Sequence, residues 1–153
     1  MSGQDESWID NFVAKVKNKN VDEILGYKPE IETILNYTPV SLRGLAPLQC
    51  AEDAFLLTQF AYHVQKSVNY FVSRKNWAES FIRVKANTSN YNSWSYEERK
   101  MGAVKDDAFL RKVYDVMLHC QRIADELYLL SNRIDAMSQM LKNLQYSKEK
   151  NNA

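Results

Sequence analysis

Residues 113–144 read VYDVMLHCQRIADELYLLSNRIDAMSQMLKNL. Within them Val113, Val116, Cys120, Ile123, Leu127, Leu130, Ile134, Met137, Leu141 and Leu144 follow one another in steps of three and four without a break. Such a seam, sustained over about four and a half heptads, is the pattern of an α-helix packed along other helices with a left-handed twist. Asp106 and Asp107 stand at its head, where acidic residues suit the positive end of a helix. Beyond it, residues 147–153 are charged and polar and are expected to form a frayed, disordered tail.

Working outward, the chain has three prolines, all between residues 29 and 47. Everything after Pro47 therefore lacks the strongest breaker of helical hydrogen bonding. Pro47 itself suits a first helical turn, and a helical pattern follows it for about forty residues. Its apolar face carries Ala54, Leu57, Ala61, Val64, Val68, Phe71, Ala78 and Ile82, with Lys75 interrupting. At about 1.5 Å per residue this helix is roughly 60 Å long. The polar run Asn87-Thr88-Ser89-Asn90 should end it, because those side chains compete for backbone hydrogen bonds. Ser93 or Ser95 then opens a short helix; Ser95 and Glu98 have capping-box spacing, and Gly102 is placed to close or bend it.

At the N-terminus, Ser7 caps a first helix with Trp8, Ile9, Phe12, Val13 and Val16 at helical spacing. The Lys-Asn run at 17–20 ends it. Residues 21–46 read as short helical turns broken by Gly26, Pro29, Pro39 and Gly44, with Ile24, Leu25, Ile31, Ile34 and Leu35 to pack. The fold class is all-α. Two long helices form an antiparallel hairpin, with short N-terminal helices beside them. The organisation expected is an arm over 1–46, a hairpin core over 47–146 with a loop at 87–95, and the tail.

A lone hairpin of that length is thin. Phe60, Phe81, Phe109 and Tyr128 fall off the main seams and widen the apolar surface to be covered, by the N-terminal arm or by other subunits. The expectation is a homo-oligomer whose interface is the seam itself, namely Val113, Val116, Ile123, Leu127, Leu130, Ile134, Met137, Leu141 and Leu144.

Composition excludes several classes. A chain of 153 residues, 45% hydrophobic and 25% charged, has enough apolar material for a core and is not disordered. No run approaches the roughly 18 apolar residues of a membrane span, and an N-terminus with Asp5, Glu6 and Asp10 is unlike a secretory signal. A cytoplasmic protein without a membrane partner is the expectation. Cys50 and Cys120 have neither a pairing motif nor metal-ligand spacing and read as small buried hydrophobes.

Catalytic groupings are scarce. His63 and His119 are the two histidines, and neither has a zinc-site spacing. Arg111 and His119 resemble the Arg…His arrangement of helical HEPN ribonucleases, but the seven intervening residues exceed that motif's spacing. Glu97 and Glu98 lack the carboxylate partners of a helical metal site, and no phosphate-binding glycine motif or nucleophile elbow is present. The reading is a non-enzymatic protein with no cofactor and no metal.

The net charge of +1 hides an uneven distribution. Residues 60–105 carry eight basic and three acidic side chains, a surplus of +5, against −4 for the rest. Basic residues there alternate with aromatics: Lys66, Tyr70, Arg74, Lys75, Trp77, Arg83, Lys85, Tyr91, Trp94 and Tyr96, followed by Arg99 and Lys100. Cations neutralise phosphates, and exposed rings offer stacking surfaces for unpaired bases. The same composition also fits a solvated basic face whose aromatics are core.

The order of features from Leu48 to about residue 146 resembles the UvsY recombination mediator family of tailed phages. The resemblance rests on a long helix ending in Arg83-Val84-Lys85, a polar and aromatic loop from Asn87 to Trp94, and the short helix beginning Tyr96-Glu97-Glu98-Arg99-Lys100. Asp106-Asp107-Ala108-Phe109-Leu110-Arg111-Lys112 then leads into the last helix. The resemblance implies a small helical protein that assembles into rings, binds single-stranded DNA and helps load a recombinase in the host cytoplasm. It implies DNA contact at Arg83 and Lys85, and selects the nucleic-acid reading for Lys66, Arg74, Lys75, Arg83, Lys85, Tyr91, Trp94, Arg99 and Lys100. The alternative is a phage structural or adaptor protein that binds a partner through its C-terminal helix.

Overall fold

The computed structural model describes residues 3–26, 28–88 and 95–152. All regular structure among them is α-helical: α1 (Gly3–Val16), α2 (Val21–Leu25), α3 (Pro29–Leu35), α4 (Pro39–Arg43), α5 (Pro47–Asn87), α6 (Tyr96–Asp106) and α7 (Ala108–Asn152). Each proline opens a helix, where its missing N–H costs nothing. Gly26 adopts a φ of 64°, the left-handed conformation that ends α2. Ser95 caps α6 by accepting from the Glu98 amide at 3.3 Å. Asp107 caps α7, its Oδ1 accepting from the amides of Phe109 at 2.9 Å and Leu110 at 3.3 Å.

Three boundaries differ from the sequence reading. α1 begins at Gly3, so Ser7 lies inside the helix rather than capping it. Gly102 neither closes nor ends α6, which runs on to Asp106. The tail expected to be disordered over 147–153 continues α7 to Asn152. There the Lys148 ammonium donates to the carbonyls of Leu42, Arg43 and Leu45, at and just beyond the end of α4.

The division into arm and hairpin also differs. The chain forms two compact units, each assembled from separate stretches of sequence. Unit 1 combines Met1–Asn20 with Asn69–Asp125, and unit 2 combines Val21–Val68 with Glu126–Ala153. The first part of α5 thus shares a unit with the last part of α7, and the last part of α5 with the first part of α7. The two long helices pack together antiparallel.

In unit 1, α1 lies on the long helices through Ile9, Phe12 and Val16, all buried with Val113, Val116, Cys120 and Ile123. Arg122 donates to the Val16 carbonyl at 3.1 Å and closes the end of α1. A run of rings follows: Trp8 to Trp77 at 5.4 Å, Trp77 to Phe81 at 5.7 Å, and Phe81 to Phe109 at 5.5 Å. In unit 2, Val21, Leu25, Ile31, Ile34, Leu35 and Leu42 bury the short helices among Leu57, Val64, Leu127, Ile134 and Leu141. Arg133 donates to the Leu35 carbonyl and to Asn36 Oδ1, capping α3 from α7.

The seam is therefore used inside the chain. Val113, Val116, Ile123, Leu127 and Leu141 are fully buried and Ile134 nearly so, while Leu130, Met137 and Leu144 are half-buried. The expected placing in an interface between subunits is corrected for the six buried residues, which the chain covers by itself; Leu130, Met137 and Leu144 keep exposed surface. Phe60 is buried and Phe81 and Phe109 are half-buried within the chain, and Tyr128 stays half exposed.

Candidate nucleic-acid interface

The end of α5 and the start of α6 flank residues 89–94, and both belong to unit 1. Tyr96, the first residue of α6, is the point where their cations meet. The Arg83 guanidinium lies 5.7 Å from its ring centroid and the Lys100 ammonium 6.0 Å. Both distances lie within cation–π range. Arg99 Nη2 donates to Asn87 Oδ1 at 3.4 Å, tying α6 to the last residue of α5. A concavity of about 240 Å³ opens here, lined by Ile82 and Met117 together with Glu79, Arg83, Tyr96, Glu97 and Lys100.

Acidic groups balance part of this charge. Lys100 pairs with Glu97 at 3.1 Å, and Lys75 with Glu79 at 3.8 Å one turn along α5. Lys75, Arg83, Lys85, Arg99 and Lys100 against Glu79, Glu97 and Glu98 leave a local surplus of +2. Arg83 and Lys85 do not act as one pair. Two residues apart on a helix they point to different sides. Arg83 turns to Tyr96, whereas the Lys85 ammonium lies 5.9 Å from the Phe81 ring.

Arg74 is engaged with rings of its own unit. Its guanidinium sits 3.9 Å from the Tyr70 ring centroid, 5.4 Å from Phe12 and 5.9 Å from Trp8, and its Nε is buried without a hydrogen bond. Its charge also reaches Cys120: burial pushes that thiol up to about 12, and Arg74 opposes the shift. The sequence pattern of alternating cations and rings is real here, and at Arg74 it forms a half-buried cluster with rings of the same unit, of which Tyr70 stays 45% exposed. Lys66 belongs to unit 2, whereas the other described candidates belong to unit 1. Tyr91 and Trp94 lie outside the described residues. The residues brought together are Arg83 and Lys100 around Tyr96, with Arg99 held at Asn87, Lys75 paired to Glu79 of the same concavity, and Lys85 on the neighbouring face.

Other groups are accounted for locally. His63 Nε2 lies 2.8 Å from the Leu25 carbonyl, at the rim of a concavity of about 610 Å³ in unit 2 lined in part by Ile31, Leu56 and Phe60. His119 is pushed below its usual pKa by burial and then by Arg122 and Lys17, with Asp115 opposing. Arg111 donates to the Lys105 carbonyl, and His119 lies eight positions further along the helix, a rise of about 12 Å. Among the described residues no group of three or more His, Cys, Asp or Glu could hold a metal. None of the described helices is long and apolar enough to cross a membrane. Sequence reasoning missed the buried Asp53, whose partners Tyr37 and Gln49 gave no sign beyond the i, i+4 spacing of Gln49.

Comparison of the chain with protein-family models, with curated proteins and with solved structures found no match in any of the three.

Proposed function

We propose that this chain is a non-enzymatic single-stranded DNA-binding protein of the recombination-mediator kind, working as a homo-oligomer in the cytoplasm. The observation that carries the reading is the convergence of Arg83 and Lys100 on Tyr96 at the two helix ends flanking residues 89–94. Cations beside a partly exposed ring can neutralise a phosphate while the ring stacks on an unpaired base. Arg99 and Lys85 extend the positive surface along each helix. Binding of this kind tolerates any sequence and weakens steeply with salt. The resemblance to the UvsY family adds a recombinase as the protein partner. Subunits acting together multiply weak single sites into useful avidity.

A second reading, a structural or adaptor protein, has its own support in Glu79 and Glu97, which offset the cations of the concavity. Fluorescence anisotropy of a labelled single-stranded oligonucleotide at about 50 and 200 mM salt separates the two. Tight binding at low salt that falls steeply at high salt supports the mediator reading; no binding at either salt selects the adaptor.

A further inference from the structure

Over residues 48–66, α5 is apolar on two opposite sides. Cys50, Ala54, Leu57 and Val64 are buried on the inner side. On the outer side Leu48, Phe55 and Tyr62 are 69%, 62% and 72% exposed, each seven residues from the next. A helix with a single packing partner needs one apolar stripe; the second stripe lies exposed among the described residues. The positions that interleave with it at steps of four and three are Glu52, Gln59 and Lys66, all exposed. Neither Glu52 nor Lys66 enters an ion pair among the described residues.

The stripe Glu52-Phe55-Gln59-Tyr62-Lys66 is nearly symmetric about Gln59. Glu52 lies seven residues before Gln59 and Lys66 seven after; Phe55 lies four before and Tyr62 three after. A second copy laid antiparallel across a two-fold axis at Gln59 sets Glu52 against the second copy's Lys66, twice, and Phe55 beside the second copy's Tyr62, twice. A parallel copy would set Glu52 on Glu52 and Lys66 on Lys66. Such a patch is self-complementary, as an isologous two-fold contact must be.

We propose that residues 48–66 of α5 form an antiparallel self-association surface, with a second copy of this chain as its occupant. The inference supplies the interface for the assembly proposed above, and it does not rest on nucleic-acid binding. Lys66 then serves as an interface charge rather than a DNA contact. Residues 48–66 rise about 27 Å, which places the contact at the small end of specific interfaces and makes it reversible.

The test is sedimentation equilibrium of the full chain across a wide concentration range, with oligonucleotide binding measured on the same samples. A reversible species of twice the 17.8 kDa chain mass is expected. Phe55→Glu with Tyr62→Glu should weaken it by at least about tenfold. Glu52→Lys and Lys66→Glu should each weaken it, and the two together should restore it, because the pairs re-form with signs exchanged. Gln59→Cys should cross-link to itself under mild oxidation far faster than Lys66→Cys, since only position 59 meets its own copy on the axis; the native Cys50 and Cys120 are buried. A chain that stays monomeric, an assembly indifferent to Phe55→Glu with Tyr62→Glu, or equal cross-linking at positions 59 and 66 would each overturn the interface. Monomers that still bind oligonucleotide would leave the nucleic-acid reading standing, and dimers that do not bind would remove only that reading.

Discussion

The Tyr37 hydroxyl donates to Asp53 Oδ2 at 2.6 Å, holding a carboxylate that is only 3% exposed. Gln49 Nε2 donates to the other oxygen at 2.8 Å, so both oxygens of this buried group are satisfied by neutral donors. The contact fastens the link between α3 and α4 to the first turns of α5.

Tyr37→Phe removes one donor and leaves a buried charged oxygen short of a partner, a loss of about 2 kcal/mol at neutral pH. Burial, the hydrogen bond to Asp53 and its charge together push Tyr37 up to about 12 from its ordinary 10. A folded-state pKa above the unfolded one means that the stabilisation is whole below pH 10 and is lost as pH rises through 12. Urea unfolding of both proteins at several pH values should show their difference closing over that window. A constant difference would show that the phenol's ionisation is not coupled to this contact.

Arg74→Ala should lower stability by about 1–2 kcal/mol and leave oligonucleotide affinity unchanged. Its guanidinium serves the Trp8, Phe12 and Tyr70 rings within unit 1. Thermal unfolding and anisotropy on the same preparation check both halves; weakened DNA binding without loss of stability would return Arg74 to the interface.

Arg83→Ala combined with Lys85→Ala should weaken single-stranded DNA binding without altering helix content. The slope of log affinity against log salt should become shallower by about 1.4, at roughly 0.7 for each phosphate of a single strand that is no longer neutralised. Because the two side chains face different sides of α5, each single substitution should contribute about half of that change. An unaltered slope in the double variant removes both residues from the proposed site.

Leu127→Ala should destabilise the folded chain rather than dissociate an assembly. Leu127 is fully buried in unit 2, and truncation at such a site costs about 2–5 kcal/mol. Calorimetry should register the loss as a lowered Tm. A fall in oligomer mass with an unchanged Tm would place the seam between subunits after all.

Lys148→Met should free the end of α4 and the last turns of α7. The ammonium is the donor to the carbonyls of Leu42, Arg43 and Leu45. Hydrogen exchange at the amides of residues 145–152 should quicken several-fold, with little change at Leu127.

The long helices were legible because their signals are local. An unbroken seam from Val113 to Leu144 and the absence of proline after Pro47 leave few other structures open. What the seam packs against was not legible, since a heptad specifies an apolar stripe and not the owner of the opposing holes. Here the short helices supply part of the packing, through Ile9 and Phe12 in one unit and Ile31 and Ile34 in the other. Arg74 shows the same limit at the candidate site: a cation among rings reads alike whether the rings face solvent or enclose it. The tail misled for a different reason, because residues 147–153 look soluble until Lys148 finds three carbonyls more than a hundred positions earlier.

Each unit closes only when segments far apart in the chain meet. Arg122 reaches Val16 across 106 positions, Arg133 reaches Leu35 across 98, and Lys148 reaches Leu42 across 106. Helical proteins usually fold fast because their contacts are local, and this chain forgoes that advantage. During synthesis at about 5–20 residues per second, Lys148 follows Leu42 by roughly 5–20 s. Over that interval the apolar sides of α1 to α4, and of α5 as it is made, wait for a complete α7 to cover them, and the nascent chain is the form most exposed to chaperones and to misassembly.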